Sequence, residues 1–418
     1  MTDPRASQAR ASELAWRVEA PLGARSPDRG DIASLTALRG FAALWVFIYH
    51  AWVTAGPQRL IIAVGGLSID VTPLASVGWA GVDIFYVLSG FLLWRAFDGW
   101  AAQVAPLPSI ARYARHRVFR ILPAYYAQLA VLVTVAALTG WIALPSLADL
   151  IAHVLLVHAW SYEYLLSTNP VWWTLSIEAQ YYVLLPALAW TIRKAGWLPV
   201  LMTGALIVLA WRAAAFGFVA QAPIPQRVWL IDQLPGRLDQ FLMGMLAAHL
   251  TLAKDKTCVR VREWLQRSAA GVAGCIACGP VVLVALAYRL HIDDFYIAYW
   301  NGDRWLYFWH STAGLAVALT ILGLALRHPS NQPDGRFDDA RGLLRHPLLY
   351  LGTVSYSFYL WHELILSFIA ARWFAFVTRA TAPAFAVQLA VGFVLSLVVA
   401  TLWYRVFERP FTTARRRG

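Results

Sequence analysis

Charged residues are scarce in this chain. They make up 14% of its 418 residues, where about 25% is usual in soluble domains. Hydrophobic residues make up 59%, against roughly 45–50% in such domains. One water-soluble core cannot hide so much apolar surface, and 21 Trp, 17 Tyr and 20 Phe exclude a disordered chain. The composition therefore predicts an all-α protein that crosses a membrane several times.

Cysteine is also scarce. The chain has three cysteines, too few for a disulfide scaffold. Cys275 and Cys278 form a single C-x-x-C inside an apolar run. Because zinc needs four ligands, this pair predicts ordinary helix packing and no metal site. A continuous apolar leader is also missing from residues 1–31, which are polar and rich in arginine. We expect these residues to form a cytoplasmic tail.

Long apolar runs, by contrast, recur along the chain. Each is long enough to cross about 30 Å of hydrocarbon as a helix. The ten runs lie near residues 32–54, 77–97, 119–142, 170–192, 197–217, 236–254, 268–289, 306–327, 347–375 and 383–407. A further run at 147–160 has only about 14 residues and contains two histidines, so it predicts a short or re-entrant helix that does not span the membrane.

Basic residues indicate the orientation. The formal net charge is +12, which in a soluble protein would suggest a nucleic-acid partner. Here, most lysines and arginines fall on segments that a ten-span topology places inside, as the positive-inside rule requires. We therefore predict no nucleic-acid partner, and a polytopic bundle of about ten transmembrane helices in the cytoplasmic (inner) membrane. Both termini would be cytoplasmic, with a membrane domain at 32–407 and a basic tail at 408–418.

Ionisable residues inside predicted spans are candidates for function, because charge in hydrocarbon is costly. Arg39 and His50 lie eleven residues apart in the first span. At 100° per residue both point the same way, about 16 Å apart along the axis. Asp83 in the second span and Glu178 in the fourth are predicted near the outer side. Asp83 is either a packing acceptor or part of a site.

Arginines also mark one cytoplasmic boundary. Arg117 and Arg120 are three residues apart and share a helix face. Positive-inside anchoring is the simpler explanation for arginines here, but paired guanidinium groups also suit a phosphate-bearing ligand. His362 lies near the middle of the ninth span, and spacing alone does not decide whether it belongs to a site or to helix packing.

Seven segments together resemble one family. They are LTALRGFAALWVFIYH, GVDIFYVLSGFLLW, RHRVFRILPAYY, NPVWWTLSIEAQYY, GRLDQFLMG, VSYSFYLWH and FERPF, and they run in order over residues 33–411. The set is similar to acyltransferase family 3 of integral-membrane O-acyltransferases. The resemblance implies acyl transfer from cytoplasmic acyl-CoA, often acetyl-CoA, to a hydroxyl of an envelope glycan or lipid-linked sugar.

The resemblance also marks particular residues. These are the Arg-x10-His pair Arg39 and His50, the Arg-x-x-Arg pair Arg117 and Arg120, the Asp83 of VDIF and the Glu178 of W-x-L-S-x-E. Some family members carry an extracytoplasmic esterase-like domain at the C-terminus. Because the chain ends eleven residues after the last predicted span, we expect no such domain here.

A direct transfer mechanism fits these residues. We expect His50 to act as the general base on the acceptor hydroxyl, with Asp83 or Glu178 orienting its ring and stabilising the imidazolium. Arg117, Arg120 and Arg39 would hold the phosphates of acyl-CoA, a donor substrate and not a permanently bound cofactor. A covalent relay through an acyl-histidine, or through an acyl-serine at Ser89 or Ser176, also fits the residues.

Two other functions remain open from the sequence. A carrier or flippase for a glycolipid or sugar would use the same buried charges without chemistry, although the absence of visible half-repeats favours the enzyme. A transferase for a longer or charged acyl group, such as succinyl, would use the same residues with a larger pocket. The sequence does not determine the acceptor or the oligomeric state.

Overall fold

The computed structural model describes residues 28–219, 221–290, 306–327, 344–373 and 379–413. Helices dominate these residues. In chain order the helices and strands are α1 (Asp28–Ala55), β1 (Ile61–Val64), β2 (Leu67–Asp70), α2 (Thr72–Ser76), α3 (Gly81–Trp94), α4 (Asp98–Ala101), α5 (Ile110–Thr139), α6 (Leu147–Val154), α7 (Trp173–Ala195), α8 (Trp197–Val219), α9 (Ile224–Ile231), α10 (Leu234–Leu252), α11 (Lys256–Gln266), α12 (Ala269–Leu290), α13 (Leu306–Leu326), α14 (Pro347–Trp373), α15 (Ala382–Val387), α16 (Phe393–Trp403) and α17 (Arg409–Thr413).

The last three helices form one continuous rod. Two π-helical turns, Gln388–Gly392 and Tyr404–Glu408, join α15 to α16 and α16 to α17. The rod continues past residue 407 into the segment that the sequence assigned to the C-terminal tail. The rest of that tail and most of the predicted N-terminal tail lie outside the described residues.

A small β-hairpin interrupts the all-α pattern. β1 and β2 pair antiparallel, with Ile61 opposite Asp70 and Val64 opposite Leu67. Gly65 and Gly66 make the turn, both with positive φ. Glycine takes this left-handed conformation without a steric penalty, which favours a tight two-residue hairpin. The hairpin follows α1, in a connection that the sequence analysis left unassigned.

Each of the ten predicted spans overlaps a helix. Among the described residues, five helices are long and apolar enough to cross a bilayer: Ile110–Thr139, Trp197–Gly217, Ala269–Arg289, Phe308–Leu326 and Ala382–Phe411. The helices at the other five predicted spans are shorter or more polar; α3, for example, has 14 residues. Over the residues that the structure describes, the chain is therefore a multi-pass membrane bundle of helices with one hairpin. The number of ten spans and the cytoplasmic termini stay predictions.

Close helix contacts depend on glycine. A Cβ built on Gly40 of α1 would lie 2.1 Å from the Leu348 carbonyl oxygen, and one on Gly352 of α14 would lie 1.8 Å from the Thr36 carbonyl oxygen. Small residues let membrane helices approach to backbone contact. Because residues near 40 face residues near 350, and His50 faces His362, α1 and α14 run parallel.

The segment at 147–160 forms only a short helix. Its helix α6 has eight residues, about 12 Å at 1.5 Å per residue, which agrees with the predicted short element. The chain then returns into the bundle, where the Asn169 side-chain amide donates to the Leu360 carbonyl at 3.0 Å. Since Leu360 lies midway along α14, α7 begins deep in the bundle and not at its surface.

Candidate active site

Three predicted arginines line one cavity. Arg39 comes from α1, and Arg117 and Arg120 come from α5. The Ser109 side chain caps the start of α5 by accepting from the Arg112 backbone N–H at 3.2 Å. This start places the two α5 arginines on adjacent turns of one helix face. The cavity has a volume of about 130 Å³ and also has aromatic walls.

Glu178 lines the same cavity. Its carboxylate accepts from the Ser89 hydroxyl at 3.0 Å and from the Tyr182 hydroxyl at 2.6 Å. The sequence placed Glu178 in the outer third, near His50, because α7 was assumed to begin at the membrane surface. α7 begins in the middle of the bundle instead, so Glu178 lies on the arginine side. This placement corrects the expected arrangement.

Glu408 fixes one of the arginines. Its buried carboxylate lies 3.3 Å from the Arg120 guanidinium. It also accepts from the Ser357 backbone N–H at 3.1 Å and from the Ser357 hydroxyl. Glu408 lies in the FERPF segment, and the sequence alone assigned it no role. Glu408 directly follows the last predicted span, and a carboxylate at the end of an apolar run was the available signal.

Tyrosines complete the cavity wall. Tyr182, Tyr356 and Tyr359 all line it. Arg117 lies over the Tyr182 ring at 6.0 Å, within the range of a cation–π contact. Three guanidinium groups and a single carboxylate face this space. Their charge balance suits an anionic ligand with several oxygen acceptors.

A second cavity adjoins the first toward the start of α5. It has a volume of about 270 Å³ and shares Leu92, Leu93 and Arg117 with the first cavity. It adds Arg112 and His116 to the lining. The two cavities therefore adjoin, and the second lies on the side of the exposed beginning of α5.

His50 lies away from the carboxylates predicted to orient it. Its Nδ1 is 3.1 Å from the Val46 carbonyl oxygen and 3.0 Å from Nε2 of His362. Neither Asp83 nor Glu178 is among the described hydrogen-bond partners of His50. The predicted contact between His50 and a carboxylate is thus wrong in this arrangement, because both carboxylates have other partners.

Asp83 belongs to a buried polar network. It is 1% exposed and accepts from Arg237 at 2.6 Å and from Gln240 at 2.5 Å. His310 Nδ1 is 3.0 Å from the same carboxylate, and Arg237 also pairs with Asp232. Asp83 is not a lining residue of the arginine cavity. The network joins α3, α10 and α13. The sequence had indicated these polar residues only one by one, without the contacts between them.

Tyr359 connects the cavity to the histidine pair. It lines the arginine cavity, and its ring centroid lies 5.6 Å from that of His362. The Tyr359 hydroxyl donates to the Val171 carbonyl at 3.0 Å and accepts from the Thr174 hydroxyl at 2.9 Å. Tyr359 therefore lies against both parts of the site.

The two serines offered for a covalent relay have different surroundings. Ser89 lines the cavity beside Glu178. Ser176 is buried, and its hydroxyl donates to the Leu156 carbonyl at 2.7 Å. Of this pair, Ser89 alone faces the arginine cavity.

Comparison with known proteins identifies the family. An acyltransferase-domain family model covers residues 32–405, most of the chain. The chain belongs to acyltransferase family 3. It is therefore an acyltransferase, and the expected resemblance is confirmed.

Three relatives of this acyltransferase have names that mention exopolysaccharide production or O-acetyl transfer. It is 27% identical over 354 residues to the exopolysaccharide production protein ExoZ of Rhizobium meliloti, covering 82% of this chain and 91% of that protein. It is 23% identical over 401 residues to the O-acetyltransferase OatA of Staphylococcus aureus. It is 24% identical over 402 residues to the peptidoglycan O-acetyltransferase OatA of Listeria monocytogenes.

The coverage of these relatives differs. The two OatA alignments cover 93% and 91% of this acyltransferase. The chain spans only 58% of the length of the staphylococcal protein and 56% of the listerial one. No solved structure matches the chain.

Proposed function

We propose that this acyltransferase moves an acyl group, acetyl in the first instance, from cytoplasmic acyl-CoA to a hydroxyl of an envelope glycan or lipid-linked sugar. The protein would reside in the cytoplasmic membrane. One observation carries the proposal: Arg39, Arg117 and Arg120 converge on a single cavity, and Tyr359, which lines this cavity, packs against the His50–His362 pair. The names of the relatives support a glycan acceptor.

The arginines account for donor binding. CoA carries a pyrophosphate and a further phosphate, which guanidinium groups bind bidentately. The neighbouring cavity at the start of α5, with Arg112 and His116, extends the space for the nucleotide end. Arg39 lies about 16 Å from His50 along α1. The thin pantetheine arm would cover that distance and bring the thioester to the histidine.

His50 accounts for the chemistry. Its ring removes the proton of the acceptor hydroxyl. The acceptor oxygen then attacks the thioester carbonyl carbon, and the carbon–sulfur bond breaks. The proton returns from the imidazolium to the CoA sulfur. The products are the glycan ester and free CoA, with no proton or electron left over.

Release of free CoA tests this function. We expect purified protein in nanodiscs to release CoA from acetyl-CoA when a hydroxyl-bearing glycan is present, with the acetyl ester detected on the glycan by mass spectrometry. The His50→Gln variant serves as the inactive control. A carrier would bind glycan yet release no CoA, which would overturn the proposal. Equal amounts of acetyl-CoA and succinyl-CoA in one reaction show which acyl group is used.

A further inference from the structure

A second histidine lies directly against His50. His362 of α14 is 1% exposed, and its Nδ1 lies 2.8 Å from the Tyr359 carbonyl oxygen and 3.2 Å from that of Phe358. A carbonyl oxygen only accepts hydrogen bonds, so Nδ1 of His362 carries a proton. No carboxylate is among the described hydrogen-bond partners of His362, and an unpaired cation is costly at such depth. The ring is therefore neutral, and its Nε2 has a free lone pair.

That lone pair determines the proton position on His50. Nε2 of His362 lies 3.0 Å from Nδ1 of His50. Since Nε2 of His362 is an acceptor, a hydrogen bond at this distance requires Nδ1 of His50 to be the donor. Nδ1 of His50 must carry the hydrogen. The Val46 carbonyl, 3.1 Å from the same nitrogen, also accepts from it. Nε2 of His50 is then unprotonated and is the nitrogen able to act as a base.

We propose that His362 is a positioning residue that holds His50 in the Nδ1–H tautomer and stabilises its imidazolium during acyl transfer; this inference rests on the proposed function. When the acceptor proton moves to Nε2 of His50, the Nδ1–H of His50 keeps its hydrogen bond to His362. The proton on Nε2 then passes to the departing CoA sulfur. His362 takes the place that an aspartate occupies in a catalytic triad.

The surroundings of His362 support a positioning role. The ring stacks parallel on Phe358, with centroids 5.9 Å apart and planes 3° apart. Tyr359 packs on it at 5.6 Å, and that side chain also lines the donor cavity. His362 is buried whereas His50 is only partly buried, so His50 is the member of the pair that can meet the acceptor. A neutral imidazole costs less to bury than the carboxylate that a triad would use.

Two substitutions separate positioning from packing. His362→Phe keeps an aromatic ring and removes the acceptor. His362→Gln places an amide oxygen close to the position of Nε2, where it accepts from His50. We expect His362→Phe to lower kcat about 100-fold or more, with the KM for acetyl-CoA little changed. We expect His362→Gln to restore a large part of kcat. Equal losses in both variants at equal folded protein, or full activity of His362→Phe, would overturn the inference.

A spectroscopic measurement keeps the inference testable whether or not acetyl-CoA is the donor. Nitrogen-15 NMR of histidine-labelled wild-type protein reports the tautomer of each ring, and the spectrum of His50→Gln assigns the His50 signals. We expect an Nδ1–H tautomer for His50 in the wild type and a mixture in His362→Phe. A His50 ring protonated on Nε2 in the wild type would overturn the inference. Lack of CoA release by the wild type would instead overturn the proposed function.

Discussion

At the scale of single residues, the predicted candidates divide into two groups. Arg39, Arg117, Arg120 and Glu178 line a common cavity. His50 lies beyond this cavity, against a histidine that spacing could not assign. The roles of Asp83 and Glu178 in catalysis stay predictions, but neither contacts the base. Donor binding and proton transfer are therefore separable by mutation.

Arg117 gives the cleanest test of donor binding. Arg117→Ala should raise the KM for acetyl-CoA about tenfold or more with little change in kcat, because the lost contact acts on the donor phosphates. Arg117→Lys should restore part of the loss, since lysine keeps the charge but not the planar fork. Steady-state kinetics on detergent-purified protein, normalised to folded protein, provide the measurement.

Arg115→Ala is the matched control for this test. Arg115 is an exposed arginine on the same helix and does not line either cavity. Removing it tests positive-inside anchoring alone, and we expect the KM to stay at the wild-type value. An unchanged KM for acetyl-CoA in Arg117→Ala would contradict donor binding and leave positive-inside anchoring as the role of Arg117.

Asp83 is tested through stability. The Asp83→Asn substitution weakens the pairing with Arg237 inside a buried network, and breaking such a pair typically costs about 3–5 kcal/mol. We expect a clear drop in the thermal unfolding midpoint, while kcat per folded molecule stays near the wild type. Thermal unfolding in detergent and single-turnover kinetics measure the two effects. A large loss of kcat at unchanged stability would instead support the predicted catalytic role of Asp83.

At the scale of helices, the contact between α1 and α14 sets the register of the histidine pair. Gly40 and Gly352 allow the two helices to touch through their backbones. His50 and His362 lie ten residues further along these helices. A small shift at the glycines would therefore move the two rings apart.

Gly352→Ala should disturb this contact. The added methyl group would lie 1.8 Å from the Thr36 carbonyl oxygen, and the backbone there has no flexible end to move. Overpacking of this kind costs about 1–3 kcal/mol. We expect a lower unfolding midpoint together with a lower kcat, measured by the same two assays.

Gly274→Ala serves as its control. Gly274 lies on α12 with nothing within 4 Å of the added Cβ. Alanine has the higher helix propensity, by about 0.5–1 kcal/mol. We expect stability equal to or slightly above the wild type, with activity unchanged. If both glycine variants behave alike, close approach of α1 and α14 does not control the site.

At the scale of the whole molecule, the two parts of the site lie at different depths of one bundle. The second cavity adjoins the arginine cavity on the side of the start of α5. His50 lies about 16 Å further along α1 than Arg39. This separation matters only if the start of α5 faces the cytoplasm, where acyl-CoA is available.

Reporter fusions test that orientation. We expect residues near 105 and 260 to report a cytoplasmic position and residues near 65 and 225 an external one, because the basic residues concentrate on the segments predicted inside. Fusions to alkaline phosphatase and to a fluorescent protein at each site give opposite signals. An external signal at residue 260 would contradict the ten-span topology and the proposed donor route.

Much of this protein follows from its sequence alone. Apolar runs of spanning length predicted ten segments, each of which overlaps a helix in the part of the chain that the structure describes, because a helix lets a single segment satisfy its own backbone in lipid. The ordered motifs predicted the family. Arg39, Arg117 and Arg120 were predicted as site residues from the cost of placing charge in the membrane and from their spacing. Local patterns suffice where the physical constraint is itself local.

The partners of these residues were decided by the tertiary structure. Periodicity places a residue on a helix face, but it does not say how deep a neighbouring helix starts. Because the chain returns into the bundle after α6, Glu178 lies at the depth of the arginine cavity. Because α1 and α14 pack in parallel through Gly40 and Gly352, His362 lies next to His50. Asp83 pairs with Arg237, which lies more than 150 residues away in the sequence. Such pairings depend on the mutual depth and rotation of packed helices, which no single segment encodes.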